Sequence, residues 1–296
     1  MFIRILLFLA TNLAVIVLLN IILFGVEQYL GYPLQGYAYL MTVAVIFGFS
    51  GSFISLFISK WMAKKAYKIQ LFNLENLSTL SPKERLVYDT VSDLAERNHI
   101  KIPEVGIYTS KDPNAFATGP GKNNSLVAVS SGLLESMDND AIEGVVAHEM
   151  AHILNGDMVT MTLLQGVINT FVIFISRVIG QIVASRVDEK ASGMVYILVS
   201  IVLEIIFGIL ASMIVMKFSR YREFRADEGS ARFVGKNKMI KALQALQKMQ
   251  EKAPKDSGKF ATMQISTRGK SGFKKLFSSH PDLSDRIRNI EDLIIT

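Results

Sequence analysis

The sequence predicts a mainly helical fold in which four membrane-crossing helices carry a cytoplasmic portion with a small β-sheet. Three observations lead there. Half of the 296 residues are hydrophobic and the mean hydropathy is +0.32, more than an ordinary soluble core explains. The apolar residues gather in four long runs, with polar and charged sequence between them. Lys and Arg cluster after the second and fourth runs, and such clusters mark the cytoplasmic side of a membrane helix.

The first run, Phe2 to Val26, is broken only by Arg4 and the pair Thr11–Asn12. It exceeds the roughly 20 residues that span a bilayer core. No small-x-small cleavage site follows it before Glu27, so a retained helix is expected rather than a signal peptide. The second run, Tyr37 to Ile58, leads into Lys60, Trp61, Lys64, Lys65 and Lys68, which places the amino terminus and everything after Lys60 inside. The third run, Met158 to Ala184, and the fourth, Met194 to Met216, form a hairpin whose link, Ser185 to Gly193, lies outside. Lys217, Arg220, Arg222 and Arg225 bring the chain back inside. The expected divisions are a membrane pair at 1–59, a cytoplasmic part at 60–157, a second membrane pair at 158–217 and a second cytoplasmic part at 218–296. Arg177 is expected near the outer interface, where it can snorkel; Glu204 lies deeper in the fourth run, with Arg177 as a candidate partner across the hairpin.

The cytoplasmic parts carry ordinary local signals. Ser81-Pro82-Lys83-Glu84 reads as an N-cap, a proline at the first helical position and a capping glutamate, opening a helix to about Asn98. Strands are expected at Val105–Tyr108, Asn114–Gly119 and Ser125–Ser130, the last two joined by a Gly/Asn-rich turn. A further helix starts near Asp138–Asp140. The end of the chain, Phe218 to Thr296, reads as helical with an exposed basic loop over Lys252–Ser271.

Composition narrows the chemistry. There are no cysteines, which excludes disulfides, thiolate metal sites and a cysteine nucleophile. The net charge of +6 accompanies no nucleic-acid motif, so it is assigned to cytoplasmic flanks of membrane helices rather than to a nucleic-acid partner. The residues that carry chemistry are His148-Glu149-Met150-Ala151-His152. Histidines four apart share one helix face, so both rings can reach one zinc ion at about 2.0–2.1 Å. Glu149 is placed to take a proton from a zinc-activated water attacking a peptide carbonyl. A catalytic zinc takes a third protein ligand, for which His99, Asp157, Glu223 and His280 are candidates. Met158 occupies the position where a metzincin would have its third histidine. The hairpin leaves and re-enters one membrane face, which brings the segment carrying Glu223 beside His152 and favours Glu223. Asp227, one turn on, is then placed to hydrogen-bond a ligand histidine.

These residues resemble those of the HtpX family of bacterial membrane zinc metalloproteases, related to the CAAX prenyl endopeptidases and the mitochondrial protease Oma. The resemblance runs through the amino-terminal helix pair and Asn114-Ala115-Phe116-Ala117-Thr118-Gly119. It continues in the histidine motif with Asn155-Gly156-Asp157, in Arg222-Glu223-Phe224-Arg225-Ala226-Asp227, and in Ser279-His280-Pro281 with Arg286-Ile287. It implies a zincin-like (gluzincin) domain with one Zn2+ per chain on His148, His152 and Glu223, with Glu149 as base. It also implies that His280 stabilises the oxyanion with support from Arg286, and that Asn114, Ala115, Phe116 and Ala117 form the edge strand that binds substrate. Asp157, Asp227 and Arg286 are expected behind the ligands. The implied role is quality control and stress response at a bacterial inner membrane, with protein substrates, chiefly membrane proteins, cut on the cytoplasmic side. A dedicated processing protease of the CAAX type, or a non-catalytic scaffold with structural zinc, is the alternative.

Overall fold

The computed structural model describes residues 21–22, 24–29, 31, 35–73, 75–252 and 280–294. Of the first apolar run only residues 21–22 and 24–26 are described, and they are helical. The rest of that run, and the expected basic loop beyond Lys252, lie outside the described residues. The chain is mainly helical, in the order α1 (Gly36–Tyr67), β1 (Gln70–Leu71), α2 (Pro82–Arg97), β2 (Glu104–Tyr108), β3 (Ala115–Gly121), β4 (Asn124–Ser130), α3 (Ser131–Ser136), α4 (Asn139–Asn155), α5 (Asp157–Ala184), α6 (Glu189–Val234), α7 (Lys236–Lys252) and α8 (Leu283–Asp292).

Two compact units divide the chain. One comprises residues up to Ile54 with Thr162–Ser212, and the other Ser55–Met161 with Met213–Thr296. Among the described residues three helices, α1, α5 and α6, are long and apolar enough to cross a membrane. In the first unit α1 and α5 touch closely: a Cβ on Gly48 would lie 2.6 Å from the Thr170 backbone nitrogen. Arg177 Nε lies 3.8 Å from Glu204 Oε1, joining α5 to α6.

The second unit is built on a four-stranded sheet of order β1-β2-β4-β3. β2 and β4 run parallel, and β3 pairs antiparallel with β4 alone, which leaves β3 as an edge. Val105, Val127 and Val129 point from one face into a core shared with Val87, Val91 and Leu94 of α2 and with Ile142, Val146, Met150 and Ile153 of α4. α2 starts as its sequence predicts: Ser81 Oγ accepts from Glu84 N, Glu84 Oε2 accepts from Ser81 N at 2.8 Å, and Pro82 opens the helix. At the head of α4, Asp138 accepts from Ala141 N at 2.8 Å.

The structure corrects several boundaries. β3 continues through Pro120 and Gly121, so the hairpin turn is only Lys122-Asn123. β1 and α3 are additions. α6 does not stop where hydropathy falls near Lys217 but runs unbroken to Val234, because no glycine or proline interrupts residues 209–228.

Candidate metal centre

α4 is aimed by its ends. Gly156 closes it in the left-handed region, at φ 70°, and its N–H caps the carbonyls of His152 and Ile153. A side chain would strain that backbone. The reversal starts α5 at once and turns Asp157, its first residue, back onto α4. Asp157 Oδ2 lies 2.6 Å from His152 Nδ1.

His148 has a matching partner. Its Nδ1 lies 2.8 Å from Asp227 Oδ1. With each Nδ1 held by a carboxylate, both rings present Nε2 to the same point. Glu223 closes the group, with one oxygen 3.6 Å from His148 Nε2 and the other 3.4 Å from His152 Nε2. A tetrahedral ion about 2.0–2.1 Å from each ligand separates the ligand atoms by about 3.3–3.4 Å. The three donor atoms already stand near that spacing, all within 4.8 Å of one another. Two imidazole nitrogens and a carboxylate oxygen fit zinc, and the residues fit the ion they were expected to hold.

Behind the triad stands a buried charge chain. Arg286 on α8 forks onto Asp227, with Nε 2.7 Å and one terminal nitrogen 2.6 Å from its two oxygens. Its other terminal nitrogen lies 3.5 Å from Glu223. His280 Nδ1 lies 2.9 Å from Glu223 Oε2. His148, His152, Asp157, Glu223, Asp227 and Arg286 are all buried. Burial opposes charge on His148, but its interactions with the accepting carboxylates of Asp227 and Glu223 outweigh it and raise its pKa to about 10 in the metal-free protein. Burial likewise disfavours the Glu223 carboxylate, and its histidine partners nonetheless hold its pKa well below the usual range. So many formal charges in one buried cluster mark a site rather than a solvated face.

Glu149, one residue on from the first histidine, faces β3: its Oε2 accepts the N–H of Ala117 at 2.8 Å. The ladder explains why that N–H is available. Asn114 exchanges its backbone with Ser130, receiving Ser130 N at 2.8 Å and donating to Ser130 Oγ at 2.9 Å. Alternation then turns Phe116 toward β4 as well, and leaves the backbone groups of Ala115 and Ala117 on the open edge. Of the four expected edge residues, Asn114 precedes the strand and only the alanines offer free-edge backbone.

A cavity of about 610 Å³ joins these groups. His148, Glu149, His152, Glu223, His280 and Arg286 line it together with Asn114–Ala117. His99, a candidate ligand by residue type, is not in the group that can hold an ion. Sequence reasoning missed Tyr67, Tyr108, Arg222 and Met239, which also line the cavity. Burial pushes the Tyr108 phenol up to about 12. No spacing pattern links these residues to the histidine motif; only the tertiary fold gathers them.

Residues 81–294 match the family model of peptidase family M48. Protease HtpX of Pasteurella multocida is 54% identical over 291 residues, covering 98% of both chains. A protease HtpX homolog of Bacillus licheniformis is 47% identical, covering 97% of this chain and 98% of the relative. Among solved structures, Ste24p of S. mikatae superposes with a TM-score of 0.63 at 17% identity, over 95% of this chain and 65% of its own. The fold is therefore shared with a protein of greater length.

Proposed function

We propose that this chain, which belongs to peptidase family M48, is a membrane metalloprotease that uses zinc on His148, His152 and Glu223 to cut membrane proteins. The observation that carries the assignment is the pair of histidines whose Nδ1 atoms are held by Asp227 and Asp157 while Nε2 atoms and Glu223 converge. A purely structural ion would have no use for Glu149 beside it.

When bound, a zinc ion supplies Lewis acidity, which polarises a peptide carbonyl and lowers the pKa of water to about 7. The chain's own residues do the rest. An extended substrate pairs with the open backbone groups of Ala115 and the carbonyl of Ala117, as edge strands pair with added strands. Glu149 accepts the proton of the attacking water and returns it to the leaving amine nitrogen. Its bond from Ala117 N–H fixes the base against the strand that holds the substrate. His280 hydrogen-bonds the carbonyl oxygen as charge develops on it. Arg286 keeps Asp227 ionised and oriented, and Asp227 keeps His148 in the tautomer that faces the ion.

Membrane proteins are the substrate class in this reading, with misfolded or damaged chains removed during stress. The long apolar helices and the membership among bacterial HtpX relatives support it. We place the protein in the bacterial inner membrane with four crossings and both ends in the cytoplasm. The basic residues that follow α1's apolar stretch and those near Lys217 support that orientation.

Metal analysis joined to a cleavage assay tests the centre. The protein should hold about one zinc per chain and cut an unfolded substrate. Glu149→Gln should keep the metal and lose about 10³-fold in rate. Normal cleavage by that variant would remove Glu149 from the mechanism.

A further inference from the structure

Three aromatic rings meet beside the candidate metal centre without taking part in it. Tyr67 ends α1, Tyr108 ends β2, and Phe116 is the second residue of β3. Their ring centroids lie 5.1 Å (Tyr67–Tyr108), 5.2 Å (Tyr67–Phe116) and 5.8 Å (Tyr108–Phe116) apart. All three line the cavity that holds His148 and Glu149. Tyr67 is 50% exposed, so the cluster is an open wall rather than sealed core. The Tyr108 hydroxyl is buried beside Asn114 and Ser130.

The wall is held deliberately. Lys60 and Lys64, two turns and one turn before Tyr67, reach Glu104 at 3.0 and 2.5 Å, and Lys60 donates to Asn124 Oδ1 at 2.6 Å. Gly106 lets the chain after α1 lie flat on β2, since a Cβ there would meet Gln70 O at 2.7 Å. These ties fix the last turns of α1 on the sheet and set Tyr67 against Phe116.

The strand register says which part of a substrate would meet these rings. Ala115 and Ala117 pack toward the core beneath α4, so Phe116 projects from the other face of the sheet. A segment paired along β3 places the side chain opposite Phe116 on that same face. Its neighbours, opposite Ala115 and Ala117, lie at the level where Glu149 binds Ala117 N–H. The ring wall therefore touches a residue adjacent to the one whose bond lies at Glu149.

Building on the reading that β3 receives the substrate, we propose that Tyr67, Tyr108 and Phe116 form a specificity wall for a large apolar side chain next to the scissile bond. Cuts then fall inside apolar stretches of sequence, the stretches in which membrane proteins are rich, rather than in polar loops.

Two measurements on the full-length protein in detergent test this. Cut sites in zinc-loaded digests of carboxymethylated casein, mapped by mass spectrometry, should show Phe, Leu, Met or Tyr enriched at one fixed position beside the cut. The second needs no turnover. Glu149→Gln protein is titrated by fluorescence anisotropy with a decapeptide carrying Phe at alternate positions and with its Ala counterpart. The Phe peptide should bind about 10-fold more tightly. Adding Tyr67→Ala should bring the two affinities together, whereas Tyr67→Phe should keep them apart. Equal affinities in the starting protein, or a ratio untouched by Tyr67→Ala, would overturn the wall. A wild type that cuts nothing while the affinity ratio holds counts against the peptidase reading alone.

Discussion

Asp157 and Asp227 lie against Nδ1 of His152 and His148, and on the zinc reading proposed above each sets which nitrogen of its histidine would face the ion. Replacing either with Asn should lower zinc affinity about 10–100-fold while leaving the fold intact, as competition with a chelating dye would show. Glu223→Ala should lose zinc more completely than His280→Ala; the reverse order would exchange their roles. The metal-free site also has a pH signature. His148 has a folded-state pKa of about 10 against about 6.5 in an unfolded chain. Its proton therefore stabilises the fold fully below about pH 6.5, and that contribution disappears as pH rises toward 10. Denaturation midpoints of the metal-free protein should fall across this window, and those of the zinc-loaded protein should not, because the ion displaces that proton. At this scale the sequence was most readable. His148, Glu149 and His152 declare themselves by spacing, and Glu223 by the return of the hairpin. Tyr67 and Tyr108 could not be read, because contact across the sheet has no signature along the chain.

α4 is gripped by neighbours that come near only where side chains are small. Ser230 Oγ donates to Gly144 O at 2.8 Å, joining α6 to α4. A Cβ on Gly144 would meet Lys238 O of α7 at 2.5 Å, and one on Gly229 would meet Ala151 Cβ at 2.8 Å. Gly144→Ala should raise the helix propensity of α4 yet destabilise the protein by about 1–3 kcal/mol, read from chemical unfolding in detergent. A stable Gly144→Ala protein would mean that α7 can move away freely. Local signals predicted α2 well, since its capping box needs nothing from elsewhere. They missed α3, whose Ser-Gly start reads as a turn. Gly132 is needed there because the Lys111 carbonyl lies 2.3 Å from where its Cβ would be. β1, at two residues, is too short to leave a periodic pattern. The end of α6 was misplaced because hydropathy reports the solvent around a helix, not its continuity.

The molecule as a whole leaves a large aliphatic surface uncovered. Ile197, Leu198, Ile201, Val202, Ile205, Ile206 and Ile209 of α6 are each about half exposed, far beyond what a water-soluble protein tolerates in one patch. Alkaline carbonate washing should therefore leave the protein in the membrane pellet, and only detergent should release it. The apolar runs were legible because a bilayer imposes length and composition together. The assembly of the site was less so, since its parts are scattered along the chain. His148 and His152 precede the α5–α6 hairpin, Glu223 and Asp227 follow it, and Arg286 stands near the carboxyl end. That order has a temporal meaning. A ribosome adding about 5–20 residues per second makes the two histidines several seconds before Glu223, and Arg286 last of all. A chain made only as far as the hairpin carries His148, Glu149 and His152 without Glu223, so the three-residue group that can hold an ion closes only once the sequence beyond the hairpin is made.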